Sequence, residues 1–172
     1  MSRFWPHTPY AEDQPLSHAI LYTHVLTRAV TVGSLAGAGI GVSLPLLRAL
    51  NVLKPRIPPL PLATTLLRSV GVGSVVATGI LAVGLPARMW GREEIEWQDR
   101  SWRLLENKGQ VALDDWTYSG MALGLGAAIA RGKGLGWRGV AGSVGAGSIA
   151  GMMGYTGSGY LTGKGQKKEA EP

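Results

Sequence analysis

The chain has 172 residues, of which 26 are glycine and none is cysteine, and its formal net charge at pH 7 is +6. Apolar residues make up 45% of it and charged residues 16%, against about 25% charged residues in an ordinary soluble domain. This composition excludes an intrinsically disordered chain. The lack of cysteine excludes a disulfide framework and an iron–sulfur cluster held by thiolates.

Long stretches without charged residues occur four times along the chain, at 29–47, 69–87, 116–130 and 139–163. A helix rises about 1.5 Å per residue and a bilayer core is about 30 Å thick, so about 20 residues cross it. We therefore predict an all-α membrane protein that forms a single domain over residues 1–172. Its four Gly-rich transmembrane helices are predicted at about 20–47, 64–87, 112–130 and 139–162.

The alternative to membrane spans is four buried helices of a soluble bundle. Helices of soluble bundles carry a polar stripe along one face, and these segments show none. They also contain many glycines, which water-soluble helices tolerate poorly and membrane helices accept. The third segment is the shortest, and it reaches bilayer length only if Asp114 and Asp115 lie at the level of the lipid headgroups.

The start of the first span carries His24 and Arg28, four residues apart on one helical face. Long polar side chains near the end of a span commonly extend towards the headgroups. We expect these two residues to do so. The three histidines, His7, His18 and His24, do not form a set of metal ligands. We predict no catalytic, metal-binding or cofactor-binding residue in the chain.

Glycines recur at four-residue steps within the predicted spans. Residues four apart share a helical face, and the missing Cβ lets a second helix backbone approach closely. The alternative is that the high glycine content produces this spacing by chance. We predict that these small faces form helix-packing interfaces, within the chain or against a larger partner, through Gly33, Gly37, Gly41, Gly120, Gly124, Gly147 and Gly151.

The polar segment 91–110 separates the second and third spans and is predicted to be an amphipathic helix outside the bilayer. Its apolar residues Ile95, Trp102 and Leu105 fall on one helical face. We expect that face to dock on a partner or on the membrane surface, the alternative being a solvated connector. Lys108-Gly109 is a plausible stop signal for this helix.

Basic residues are concentrated in the connections 48–68 and 131–138, which hold seven Lys or Arg and no acid. Short basic loops tend to stay on the cytoplasmic or matrix side, so we expect both termini and segment 91–110 on the opposite side. The basic residues occur singly or in pairs, without the stripe of a nucleic-acid interface. We predict instead that anionic phospholipid headgroups, cardiolipin among them, bind Arg48, Arg68, Arg131 and Arg138.

In its arrangement the chain resembles the translocase (Tim-type) family of the mitochondrial inner membrane, with four Gly-rich spans, termini on one side and basic connections on the other. That family pairs an Arg with an Asp four residues later, ahead of a Gly-x-x-x-Gly. Here Asp115 precedes Gly120 and Gly124, and position 111 is valine. The resemblance implies a component of a protein-import or metabolite channel.

Particular runs of sequence resemble the accessory membrane subunits of fungal respiratory complex I (NUXM type), namely 16–37, 99–105 and 110–115. This resemblance implies a non-catalytic accessory subunit of the mitochondrial NADH:ubiquinone oxidoreductase, surrounded by other membrane subunits and carrying no cofactor. It also implies a multi-pass protein of the mitochondrial inner membrane. In that membrane the basic connections would place both termini in the intermembrane space. We expect this function, with the channel component as the alternative.

Overall fold

The computed structural model describes residues 5–53 and 60–161, and within them the secondary structure is entirely helical. The all-α prediction is therefore confirmed for this part of the chain. Lys54, Arg56 and residue 162 of the fourth predicted span lie outside the described residues. The five helices are α1 Ser17–Ala49, α2 Leu62–Arg88, α3 Glu94–Glu106, α4 Lys108–Arg131 and α5 Gly136–Leu161, with 3₁₀ turns at Ala11–Asp13 and Lys133–Leu135.

Two of the described helices are long and apolar enough to cross a membrane. The most apolar stretch has a mean hydropathy of 1.7 in α1 and 1.9 in α2. By the same measure the prediction of four spans is not supported for α4 and α5. α5 is rich in Gly, Ser and Thr, which contribute little hydropathy, and α4 carries the charged residues Asp114 and Asp115 within its length.

The apolar side chains of α1 and α2 mostly point away from the rest of the chain. In the most apolar stretches only 28% of the α1 residues and 17% of the α2 residues are buried. Val32 on α1 is 62% exposed, and Val83 on α2 is 71% exposed. The helices of a soluble bundle would bury these residues and expose polar ones. The outer surface of α1 and α2 is instead apolar.

The hairpin of α1 and α2 is held by direct contact between the two backbones. Gly33 and Gly37 of α1 lie against Gly73 and Ser69 of α2, so that a Cβ at either glycine would collide with a backbone carbonyl. Gly41 continues the same face against α2 near Leu66. These contacts place the first group of predicted packing glycines inside the chain.

The second hairpin, of α4 and α5, uses the same kind of contact. Gly120 and Gly147 face each other, Gly124 lies against Ser143, and Gly151 lies against the backbone of Trp116. A third crossing joins the hairpins, where Gly71 of α2 meets the α5 backbone. The four long helices are thus arranged in the order α1, α2, α5, α4, and all seven predicted packing glycines contact a neighbouring helix of the same chain.

Helix α3 is shorter than the predicted segment 91–110, because the helix is interrupted at Asn107. The Asn107 backbone leaves the helical region, with φ −76° and ψ 88°, and its side chain accepts a hydrogen bond from the Gln110 N–H at 3.0 Å. This is an N-cap. Lys108 and Gly109 therefore begin α4, and the prediction that they stop the preceding helix is wrong.

The glycine contacts generate a test with a matched control. Gly37→Leu places a side chain against the Ser69 backbone, whereas Gly39→Leu places one in open space on the same helix. We expect the first substitution to lower the free energy of unfolding by about 1–3 kcal/mol or more, because neither backbone can move away. The second should leave the stability nearly unchanged.

The measurement is the unfolding of the purified chain in mild detergent by titration with a denaturing detergent. Equal unfolding midpoints for the two variants would contradict the packing described above.

Candidate functional site

A buried carboxylate lies where α1 meets α4. Asp114 is 1% exposed, and each of its oxygens has a cationic or potentially cationic partner on α1. The Arg28 guanidinium forms an ion pair with Oδ1, and His24 Nδ1 lies 2.8 Å from Oδ2. A carboxylate accepts hydrogen bonds only, so His24 carries a proton on Nδ1.

Further polar groups form hydrogen bonds around the ion pair. With its amide oriented to accept, Gln110 Oε1 lies 2.8 Å from Arg28 Nη2 and 3.1 Å from Nε. The Thr27 hydroxyl donates to the Thr23 carbonyl at 2.7 Å, so the Tyr118 hydroxyl, 2.8 Å away, is the donor to Thr27. Buried polar groups cost least when every one of them is paired in this way. We call Thr27, His24, Arg28, Gln110, Asp114 and Tyr118 the polar cluster.

The local sequence places these side chains through the helical repeat. His24 and Arg28 are four apart on α1, and so are Gln110, Asp114 and Tyr118 on α4, so each set lies on one helical face. α1 and α4 are not neighbours in the order of helices, and they touch over a short stretch. The polar cluster therefore ties together the two helices at the ends of the row.

The structure corrects one expectation about these residues. His24 and Arg28 do not extend outwards but turn inwards to Asp114, which is buried between α1 and α4. One sequence signal was available, since Asp114 shares its helical face with Gln110, Thr117 and Tyr118, at steps of three and four residues. An acid on a packing face requires a partner from another helix.

A second polar contact fastens α3 to the start of α1. Ser17 Oγ donates to Glu94 Oε1 at 2.7 Å, and His18 Nε2 lies 2.8 Å from Oε2. The hydrogen bond from Ser17, followed by that from His18, lowers the pKa of the Glu94 carboxyl below its ordinary value. The His18 ring also stacks on Trp97, with centroids 4.0 Å apart.

The predicted docking residues of the amphipathic helix do not form one exposed surface. Ile95 is 42% exposed, but Leu105 is buried. Trp102 stacks with the His7 ring and donates its indole N–H to the Thr8 carbonyl at 2.9 Å. The chain's own N-terminal segment therefore covers part of the face that was expected to dock on a partner.

Sequence reasoning missed Trp97, which is the residue that anchors α3. It is 7% exposed and packs with Leu85 and Met89 at the end of α2. Tyr22 of α1 stacks on its ring from the other side of the contact, at 6.2 Å between centroids. The predicted face joined Ile95, Trp102 and Leu105 at steps of seven and three residues. The buried residues of α3 are instead Trp97, Ser101 and Leu105, at steps of four.

The four arginines predicted to bind headgroups lie at one end of the helices. Arg48 is in the last turn of α1 and Arg131 in the last turn of α4, while Arg68 and Arg138 lie near the starts of α2 and α5. Arg68, Arg131 and Arg138 are exposed, and Arg48 is half-buried. Within residues 5–53 and 60–161, no group of three or more His, Asp or Glu side chains is placed to hold a metal ion.

The polar cluster predicts a large effect of removing its carboxylate. Asp114→Asn leaves the Arg28 guanidinium largely buried without a counter-charge, which costs about 3–5 kcal/mol in comparable buried pairs. Adding Arg28→Met should recover much of that loss, because the uncompensated charge is removed.

The control is Glu96→Gln, which removes the surface ion pairs of Glu96 with Arg92 and Arg100 and should cost about 0–1 kcal/mol. Stability is again measured by detergent unfolding. An Asp114→Asn variant as stable as the control would show that the cluster does not hold α1 to α4.

The contact between Glu94 and α1 should depend on pH. Its pKa is lower in the folded chain than the ordinary 4.5, so the carboxylate stabilises the fold above pH 4.5 and this contribution is lost as the pH falls through the lower, folded value. We expect the amide protection of α3 against hydrogen exchange to fall in that acid range. In Glu94→Gln the acid-dependent part should vanish, and an unchanged profile would refute the assignment.

Comparison of the chain with protein-family models, with curated proteins and with solved structures finds no match in any of the three. Function is therefore inferred from the residues and their geometry.

Proposed function

We propose that the chain is a non-catalytic structural subunit of a membrane complex. The observation that carries this proposal is the distribution of polarity. The helix crossings are closed by backbone contacts at glycine, the charged groups between α1 and α4 are paired with one another, and apolar side chains cover the outside of α1 and α2. A surface of this kind fits a lipid or protein environment of low polarity.

The finer part of the proposal is that all four long helices cross the membrane. α5 is free of charged residues over 139–161, about 34 Å of helix, which exceeds the bilayer core of about 30 Å. α4 is free of them over 116–130, about 22 Å, so it crosses the core only if the span extends back past the paired Asp114. Leu123 and Ile129 of α4 are 77% and 70% exposed, so α4 also presents an apolar outer face. Glycine lowers the mean hydropathy of both helices, but it is a common residue in membrane helices.

The specific complex is proposed from the sequence resemblance. An accessory subunit of mitochondrial complex I, in the inner membrane and with both termini in the intermembrane space, accounts for the basic connections and for the outer apolar surface. The alternative, a component of an import or metabolite channel, requires a lumen. At the crossings of α1 with α2, α2 with α5, and α4 with α5 the backbones touch, so a lumen would need a second protein.

The experiment is native electrophoresis of mild-detergent extracts from mitochondria that carry an affinity-tagged copy of the chain. We expect the tag to migrate with NADH dehydrogenase activity, because the subunit would be part of that particle. Gly37→Leu should reduce the tagged band, since a chain that cannot close its first hairpin cannot be incorporated.

A smaller tagged particle, separate from that activity, would favour the channel component. A tagged chain that alkaline carbonate extracts from the membranes would contradict both versions. Protease treatment of mitoplasts tests the orientation, since a tag on the C-terminus should be cleaved from the intermembrane-space side.

A further inference from the structure

An apolar groove of about 340 Å³ runs along the outer surface of the α1–α2 hairpin. Gly37 contributes to its floor, where the α1 backbone lies directly against α2 at Ser69. Ile40 of α1 and Val76 of α2 form its walls and are 57% and 53% exposed. The groove therefore opens outwards, on the face of the two helices whose composition suits a membrane.

Two arginines stand at one end of this groove. Arg68 precedes Val72 and Val76 on the same face of α2, and Arg138 reaches the groove from the start of α5. The Arg138 guanidinium lies 5.4 Å from the centre of the Trp137 ring, an aromatic residue of the kind enriched at membrane interfaces. The connections 48–68 and 131–138 at this end contain no acid, so the local charge is positive.

The dimensions match half a bilayer. The eight residue steps from Arg68 to Val76 correspond to about 12 Å of helix, and one leaflet of the hydrocarbon core is about 15 Å deep. An extended apolar chain that starts at the arginines would thus lie in the groove towards the middle of the membrane. A peptide would bring backbone polar groups that the apolar walls could not satisfy.

We infer that the groove is a binding site for one anionic phospholipid. Its phosphate binds between Arg68 and Arg138, and one acyl chain lies on Gly37 between Ile40 and Val76. Guanidinium groups suit this role because they form paired, charge-assisted hydrogen bonds with phosphate oxygens. This assigns two of the four arginines to one lipid, and it does not depend on the complex to which the chain belongs.

The experiment is native mass spectrometry of the delipidated full-length chain in detergent, with dioleoylphosphatidylglycerol as the probe and dioleoylphosphatidylcholine as the comparator. We expect one phosphatidylglycerol to be retained in preference to phosphatidylcholine. Arg68→Gln combined with Arg138→Gln should weaken this binding at least about tenfold, since each charged hydrogen bond to phosphate contributes roughly that factor.

Two controls distinguish lipid binding in the groove from general electrostatic attraction of the lipid to basic residues. Arg88→Gln combined with Arg103→Gln removes the same charge from exposed positions outside the groove. Binding should then change less than about threefold, because exposed charges have small effects. Val76→Trp fills the groove and keeps both groove arginines, and it should abolish selective retention of the lipid.

Several outcomes would overturn the site. They are equal loss of binding in the two double variants, undiminished binding in Val76→Trp, and equal retention of the two lipids. Displacement of the lipid by inorganic phosphate would show that the arginines select a free anion and that the groove does not hold an acyl chain. Circular dichroism of each variant checks that the helices are intact.

Discussion

The contact of helix backbones at glycine is the constraint on which the rest of the structure depends. Where Gly37 meets Ser69, and where Gly120 meets Gly147, the backbones of two helices touch without intervening side chains. Interaction over such surfaces comes from close van der Waals contact, which does not require water to be expelled from large apolar side chains. The large apolar residues are then left on the outside, which sets the character of the whole surface.

The polar cluster complements these contacts at the ends of the row of helices. α1 and α4 are joined to their neighbours by glycine faces, but they meet each other through Asp114, Arg28 and His24. An ion pair of this kind is favourable only when its hydrogen-bonding groups are satisfied, as they are here by Gln110 and the neighbouring hydroxyls. The close packing of the hairpins brings the two helices near enough for these short contacts to form.

The polar elements outside the row have a different role. Helix α3 and the N-terminal segment pack on each other and on the start of α1, through Trp97, Trp102 and the contacts of Glu94. They cover one end of the helices, and the basic end with Arg68 and Arg138 lies opposite. The described part of the chain thus has one covered end, one basic end and apolar sides on α1 and α2.

The sequence alone determined the four long helices and, to within a few residues, where α3 begins and ends. It also determined the glycine faces at Gly33, Gly37, Gly120 and Gly124. These follow from charge-free length and from the helical repeat, which are local properties. Only the tertiary structure decided which faces meet and where the charges go. Asp114 and Arg28 are far apart in the chain, and the side of α3 that faces inwards is set by Trp97 against α1 and α2, because pairing between distant segments leaves no periodic signal in either one.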